Sequence, residues 1–441
     1  MRNDRIKILR DQSLAAIPSI STERALLLTE FYRSENSDLF SIPLQRAMAF
    51  KYILENKKLC VNDGELIVGE RGPSPKATPT YPEICLHSIT DLEIISGREK
   101  IPYHVSKDGF DDYSEKIIPF WKGRSMRDKI FRELDDEWKN AYEAGIFTEF
   151  LEQRAPGHTV LGDKIYKMGL LDIKKQVEET IGGLDFFNDI EAYDKREELR
   201  AMSICIDALL LYAGRYEKLL LEMAKNEKDP ERARQLNEMA EVVRSVPAHK
   251  PATFRQALQY YWFAHIGVIT ELNPWDSFNP GRLDQHLYPF YRKGLEDGSL
   301  TEESARELLS SFWVKFNNHP APPKMGVTAL ESNTYTDFAL INLGGLTAEG
   351  LDGVNELTYL ILDVIEDMRI LQPSSMIQVS KKSPDRFVRR ALKIIKTGFG
   401  QPSIFNTDEI TAELLRQGKS IEDARRGGAS GCVETGAFGH E

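Results

Sequence analysis

The sequence is poor in cysteine, and the four it has (Cys60, Cys85, Cys205 and Cys432) lie far apart with no CxxC pair. That spacing excludes a zinc ribbon and a disulfide framework, so no metal site is expected and the chain reads as reduced and cytosolic. Positive charge is outweighed, with 57 Lys and Arg against 68 Asp and Glu and a net charge of −11. Such a balance argues against a nucleic-acid partner, and the short run Asp423-Ala424-Arg425-Arg426 does not reverse it. No apolar run approaches a membrane span, which argues against a membrane partner. The start, Met1-Arg2-Asn3-Asp4-Arg5, lacks the apolar core and cleavage site of a secretory signal. What is present is ordinary soluble-protein chemistry, 41% hydrophobic and 28% charged. At 441 residues the chain allows one large domain or two.

The first two-thirds, residues 1–330, is predicted to be mainly helical. From about Glu191 to Val246 run long charged, amphipathic helices, broken near Asp229-Pro230 and closed by Pro247. The segment from Gln256 to Ile266 is apolar on nearly every face, which predicts a fully buried helix. A Pro/Asn/Asp segment, Asn273 to Arg282, cannot continue it and reads as an irregular loop carrying polar groups. From residue 337 to 425 the pattern alternates. Phe338 to Leu343 reads as a strand stopped by Gly344-Gly345, and helical spacing follows from Val354 to Met368. Met376 to Ser380 is a second strand. Ser383 is placed as N-cap of the next helix, with Pro384 at its first position and Gly398 ending it. Ser403 to Phe405 is a third strand, and Asn406 with Glu409 resembles a capping box. Strand–helix units in series predict parallel pairing with right-handed crossovers, hence an α/β barrel or open sheet.

Residues 427–436, Gly-Gly-Ala-Ser-Gly-Cys-Val-Glu-Thr-Gly, put one thiol and one carboxylate among small neighbours. Cys432 has four readings. A core cysteine is the ordinary case, but no apolar periodicity surrounds it. A nucleophile needs a base, and the nearby His440 lies on what reads as a frayed end. A phosphate cradle needs a Walker lysine or GxGxxG spacing, and neither is present. Hydrogen-atom chemistry fits: the S–H bond is close in strength to a C–H beside nitrogen or oxygen. In an extended loop Cys432 and Glu434 point to one side, so a buried carboxylate could move protons in the same pocket.

Ser430-Gly431-Cys432-Val433-Glu434-Thr435-Gly436 resembles the cysteine loop of the glycyl radical enzymes, which share a pyruvate formate-lyase-type domain. A single cysteine followed by Val433 sets it apart from pyruvate formate-lyase itself and points to the dehydratase, decarboxylase and carbon–nitrogen lyase branches. Similarity extends through Asn62 to Glu70, Tyr142 to Gly145, Gly157-His158-Thr159, Gly281 to His286, Ser332 to Asp337 and Gln372 to Ser375. The resemblance implies an α/β fold: half of a ten-stranded α/β barrel surrounded by helices, with a largely helical N-terminal region. It implies dehydration of trans-4-hydroxy-L-proline to 1-pyrroline-5-carboxylate and water. Glycerol, propanediol or choline as substrate, or a noncatalytic half that binds a partner half, are the alternatives.

By the same resemblance Cys432 bears a transient thiyl radical and Glu434 is its acid/base partner. Asp276 faces the substrate amine, His158 releases the leaving hydroxyl as water, and Asp337 orients or charges that histidine. Ser332 holds the substrate carboxylate and Phe150 lines the ring pocket. Each has a plainer reading as well: a turn residue for Asp276, a structural histidine for His158, a strand-approach cap for Ser332 and Asp337, and core for Phe150. The implied cofactor is a glycyl radical installed by a radical S-adenosylmethionine activating enzyme, and the implied assembly is a homodimer. The Arg-Val-x-Gly-Tyr-like loop that stores the radical is not in this sequence. The resemblance therefore covers the N-terminal half of such an enzyme, expected to be inert alone and to leave a sheet edge open.

Overall fold

The computed structural model describes residues 4–34, 39–147, 159, 161–272, 278–321, 339–431 and 433–440. Helices dominate the first 320 residues, as the sequence predicts. Helix α1 (Ile42–Asn56) packs on α2 (Ala192–Asn226), a 35-residue helix that also carries α3 (Pro230–Ser245) against it. Asp229 caps α3 by accepting from the Glu231 N–H, with Pro230 at its first turn, so the break read from Asp229-Pro230 is a helix start. Helix α4 (Phe254–Glu271) is buried from Phe254 to Gly267 save for Arg255 and Gln256, and Pro274 follows its end. Trp262 lies in its centre, stacked between His265 and His319 at ring distances of 5.0 and 5.2 Å.

Helices α5 (Leu283–Asp297) and α6 (Glu302–Asn317) complete the helical layer behind the sheet. In α6 the run Phe312-Trp313-Val314-Lys315-Phe316 is wholly buried, lysine included. Lys315 Nζ bridges Glu65 and Glu70, at 2.6 Å from Glu70, and His319 bonds the other Glu70 oxygen. Burial works against the Lys315 charge, but the two carboxylates outweigh it and hold its pKa above the usual lysine value. Burial likewise works against the Glu70 carboxylate, yet Lys315 and His319 keep it low. Glu65 also holds Lys315 but faces the Glu70 charge and has no bond to His319, and burial pushes it up to about 7.

A two-strand parallel pair, β1 (Ser19–Ser21) with β2 (Ala77–Pro79), is too short to leave a readable pattern in the sequence. The principal sheet is β3 (Leu340–Gly344), β4 (Ser374–Val379) and β5 (Ser403–Asn406), parallel and in sequence order. Helices α7 (Glu356–Met368), α8 (Asp385–Ile395) and α9 (Thr407–Arg416) alternate with the strands. The expected α/β arrangement is thus present. Several boundaries move: β4 starts at Ser374 rather than Met376, and α7 at Glu356 rather than Val354. Helix α8 starts at Asp385 with Pro384 as N-cap, because the Ser383 hydroxyl is taken by the Ser380 N–H. The same helix ends at Ile395, and Gly398 terminates the following turn at φ +78°. Asn406 caps α9 by accepting from the Asp408 and Glu409 amides. Strand β5 is largely exposed, with Ile404 half out of the core.

Candidate functional site

After α10 (Ile421–Arg426) the small-residue stretch folds as an antiparallel hairpin, β6 (Gly428–Ser430) with β7 (Glu434–Gly436). It is a hairpin rather than the extended loop expected, and its base is held against the principal sheet by two buried amides. Asn342 in β3 and Gln378 in β4 are both fully buried. Gln378 Nε2 donates to Asn342 Oδ1 (3.0 Å) and to the Gly427 carbonyl (3.1 Å), while its Oε1 accepts from the Thr407 hydroxyl (3.0 Å). Asn342 Nδ2 donates to the Leu340 and Ala429 carbonyls, each at 2.9 Å, and Oδ1 also accepts from the Ala429 N–H (3.2 Å). All four amide hydrogens are used, which is what burial of two amides demands.

This contact explains the glycines. A Cβ at Gly428 would lie 2.3 Å from Asn342 Oδ1 and 2.5 Å from Gln378 Nε2. One at Gly427 would lie 2.5 Å from Leu414 and 2.6 Å from the Gly436 carbonyl. Ala429 then packs with Leu340 and Met376. Small side chains are needed here for close approach to an amide pair.

The segment after the Pro/Asn/Asp loop joins the same junction. Gly281, at φ +65°, accepts from the Asn342 N–H at 3.1 Å, so Gly281-Arg282 runs beside β3 as a short parallel addition. The buried Arg282 guanidinium donates to the Gly344 carbonyl (2.7 Å) and to the Arg425 carbonyl, tying the end of β3 to the root of the hairpin. Burial lowers its pKa to about 10, and Asp284 partly opposes that. Asp284 accepts from the Gly344 N–H (2.8 Å) and the Thr358 hydroxyl (2.6 Å). Burial raises its pKa to about 6, against those bonds. Its proton is held more tightly folded than unfolded, so its stabilising share is full below about pH 3.8 and is lost as pH rises through 6. Asp284→Asn is therefore expected to gain on the wild type, by on the order of 1–3 kcal/mol, between pH 4 and pH 7 in urea midpoints. A constant gap across that range would contradict the assignment.

Beside the hairpin lies a cleft of about 230 Å³ lined by Asp163, Arg282, His286, Arg426, Phe438 and His440 among others. Burial lowers His286 to about 4, so it is neutral there. His440 is pinned rather than frayed: its carbonyl accepts from Lys419 Nζ (2.7 Å) and its Nδ1 lies 3.7 Å from Asp423.

Of the residues singled out from the sequence, Glu434 is described. It begins β7 and is exposed, not buried as expected. Its Oε2 accepts from the Val433 N–H at 3.0 Å. Cys432, His158, Asp337, Asp276, Ser332 and Phe150 lie outside the described residues. Described positions a few residues from four of them meet in pairs. Leu340 in β3 packs with Ala429, and Gly431 and Val433 adjoin the hairpin strands. A Cβ on Gly281 would lie 2.9 Å from the Thr159 hydroxyl and 3.1 Å from Phe438. Phe147, three residues before Phe150, packs on Trp138 and Tyr142 instead.

Asn342 falls inside the strand expected from Phe338 to Leu343 and Gln378 inside that from Met376 to Ser380, and neither carried an expected role. The available signal was one amide inside each of two apolar strands, Leu-Ile-Asn-Leu and Met-Ile-Gln-Val. Among the described residues no group of three or more His, Cys, Asp or Glu could hold a metal ion. No helix among them is long and apolar enough to cross a membrane.

Known proteins place this junction in a family. The chain is 54% identical over 438 residues to trans-4-hydroxy-L-proline dehydratase of Clostridioides difficile, covering 99% of this chain and 55% of that protein. The crystal structure of that organism's hydroxyproline dehydratase with trans-4-hydroxy-L-proline bound superposes with a TM-score of 0.96, at 54% identity, over 99% of this chain and 55% of the other. A structure described for 1,2-propanediol dehydration in Roseburia inulinivorans gives a TM-score of 0.92 at 30% identity, with coverage of 99% and 55%. The chain thus spans about half the length of the relatives it matches. The pattern of the pyruvate formate lyase-like family matches residues 1–441. The chain belongs to the pyruvate formate lyase-like family.

Proposed function

We propose that this chain forms the cysteine-loop part of a glycyl radical dehydratase that converts trans-4-hydroxy-L-proline to 1-pyrroline-5-carboxylate and water. The observation that carries the reading is the extent of identity to the hydroxyproline dehydratase, 54% over 99% of the chain, with the Cys-Val-Glu hairpin inside it. The radical is stored on a glycine loop that this sequence does not include, installed by a radical S-adenosylmethionine activating enzyme, and it supplies the hydrogen-atom vacancy at Cys432.

The Cys432 sulfur takes a hydrogen atom from the ring carbon beside nitrogen, forming S–H and leaving a carbon radical. That radical weakens the neighbouring C–O bond. The hydroxyl leaves as water with a proton from His158, which Asp337 orients, and the ring nitrogen gives up a proton to Glu434 as the C=N bond forms. The hydrogen atom then returns from sulfur to the carbon that lost oxygen, so the sulfur radical is regenerated and no external oxidant is consumed. Asp276 holds the ring nitrogen, Ser332 the carboxylate, and Phe150 a wall of the ring pocket. The exposure of Glu434 in this chain is consistent with a pocket whose other wall comes from outside the described residues.

The test is anaerobic activation of the full-length gene product, followed by electron paramagnetic resonance and an assay for pyrroline-5-carboxylate. A glycyl doublet with turnover of hydroxyproline is expected. Absence of the doublet would sink the enzyme reading, and turnover confined to glycerol, propanediol or choline would sink the substrate.

A further inference from the structure

We infer that Asn342 and Gln378 are positioning residues that fix the register of the hairpin carrying Cys432. The inference rests on the function proposed above for its catalytic meaning, and on the geometry alone for the register. The hairpin has only three residue pairs, Gly428 with Gly436, Ala429 with Thr435 and Ser430 with Glu434, and two short strands are marginal by themselves in water. Beside the Ala429 methyl packed on Leu340 and Met376, its hold on the principal sheet falls on backbone groups. Gly427 and Ala429, alternate residues of one edge, give both carbonyls and one N–H to the amide pair. The opposite edge of β6 is committed to β7. Strand β6 therefore behaves as a middle strand whose second neighbour is made of side chains.

That arrangement rejects a slip. Moving β6 by one residue flips every side chain to the other face. In one direction the slip would bring the Ala429 methyl to where a Cβ meets Asn342 Oδ1 at 2.3 Å, and in either it would leave two buried amides without their carbonyls. The pair is in turn fixed from behind by the Thr407 hydroxyl and the Leu340 carbonyl, so β3, β4 and the first residue of α9 all contribute to the placement.

The test uses the full-length protein, activated anaerobically, with near-isosteric changes that remove donors. In Gln378→Glu a carboxylate oxygen faces Asn342 Oδ1 and the Gly427 carbonyl; in Asn342→Asp the donor to Ala429 is lost. Because misplacement by about 1 Å can cost on the order of 10²-fold in rate, kcat is expected to fall by roughly that factor in Gln378→Glu. KM should stay within about twofold and the glycyl signal should keep its wild-type size, since neither substrate contacts nor radical storage is touched. The isotope effect with hydroxyproline deuterated beside nitrogen should rise, as hydrogen transfer becomes limiting. The two changes should be strongly non-additive, since they act on one hairpin. Unchanged kcat and isotope effect in both variants would overturn the inference, as would loss of the glycyl signal in step with general unfolding. An arm independent of activity is amide hydrogen exchange at Ala429. Acceleration of tenfold or more in Gln378→Glu supports the clamp, and unchanged exchange overturns it. Should the wild type show no radical at all, the proposed function fails while this arm still decides the register.

Discussion

Replacing Lys315 with methionine is expected to cost about 3–5 kcal/mol of folding stability, the range for removing one partner of a buried ion cluster. Lys315 is the cation between Glu65 and Glu70, and all three are almost completely shielded from water. Methionine fills much the same volume, so little of the loss comes from packing. It comes from two carboxylates left in a low-polarity site, with His319 to serve Glu70 alone. Methionine at 315 combined with Glu65→Gln and Glu70→Gln should recover much of the loss, because no buried charge is then stranded. Urea midpoints of the wild type and these two variants test this. A Lys315→Met midpoint within about 0.5 kcal/mol of wild type would mean that water reaches the cluster.

The second large effect belongs to chemistry. In the activated full-length protein Cys432→Ser is expected to abolish turnover of hydroxyproline while leaving the glycyl signal intact. An O–H bond is much stronger than an S–H bond, so drawing a hydrogen atom from serine with a carbon-centred radical is steeply uphill. On the proposed function the radical is stored on a glycine rather than on residue 432, so its spectrum should survive. Glu434→Gln should act differently. It keeps the shape and the acceptor oxygen for the Val433 N–H but cannot take a proton, so a loss of the usual general-base size, about 10²–10⁴-fold, is expected at unchanged radical content. Residual turnover in Cys432→Ser above one part in a thousand of wild type would contradict the thiyl role.

What the sequence disclosed followed from how local each signal is. The strands from Leu340, Ser374 and Ser403 were readable because each is a short apolar run bounded by Gly or Pro. The buried α4 was readable from an apolar surface on every face. The shift of one residue at α8 arose because Ser383 could serve either the helix or the Ser380 N–H, and only the fold decides which. The hairpin at residues 428–436 was not readable, since Gly, Ala and Ser carry no period-two pattern of hydrophobicity. Asn342 and Gln378 acquire meaning only once two parallel strands are set in register and a segment about ninety residues downstream is brought back across them. Lys315, a lone charge in the run Phe312 to Phe316, received no reading from the sequence, and its partners are about 250 residues away. The resemblance implies a chemistry for Cys432, which lies outside the described residues, while the exposure of Glu434 was not legible, because burial is a property of everything that packs around a side chain.

The order of the strands has a consequence for how the chain is made. Strands β3, β4 and β5 adjoin in the order in which a ribosome delivers them. A nascent chain can therefore lay each strand on the free edge of its predecessor, with a single helix to fold between deliveries. The hairpin breaks that progression. It must reach back past β5 and β4 to Asn342, a loop closure that cannot precede the pairing of β3 with β4, since half of its anchor stands on each. The segment bearing Cys432 is thus expected to be the last of the described elements to lock, guarding the thiol's final placement until the scaffold that dictates it has formed.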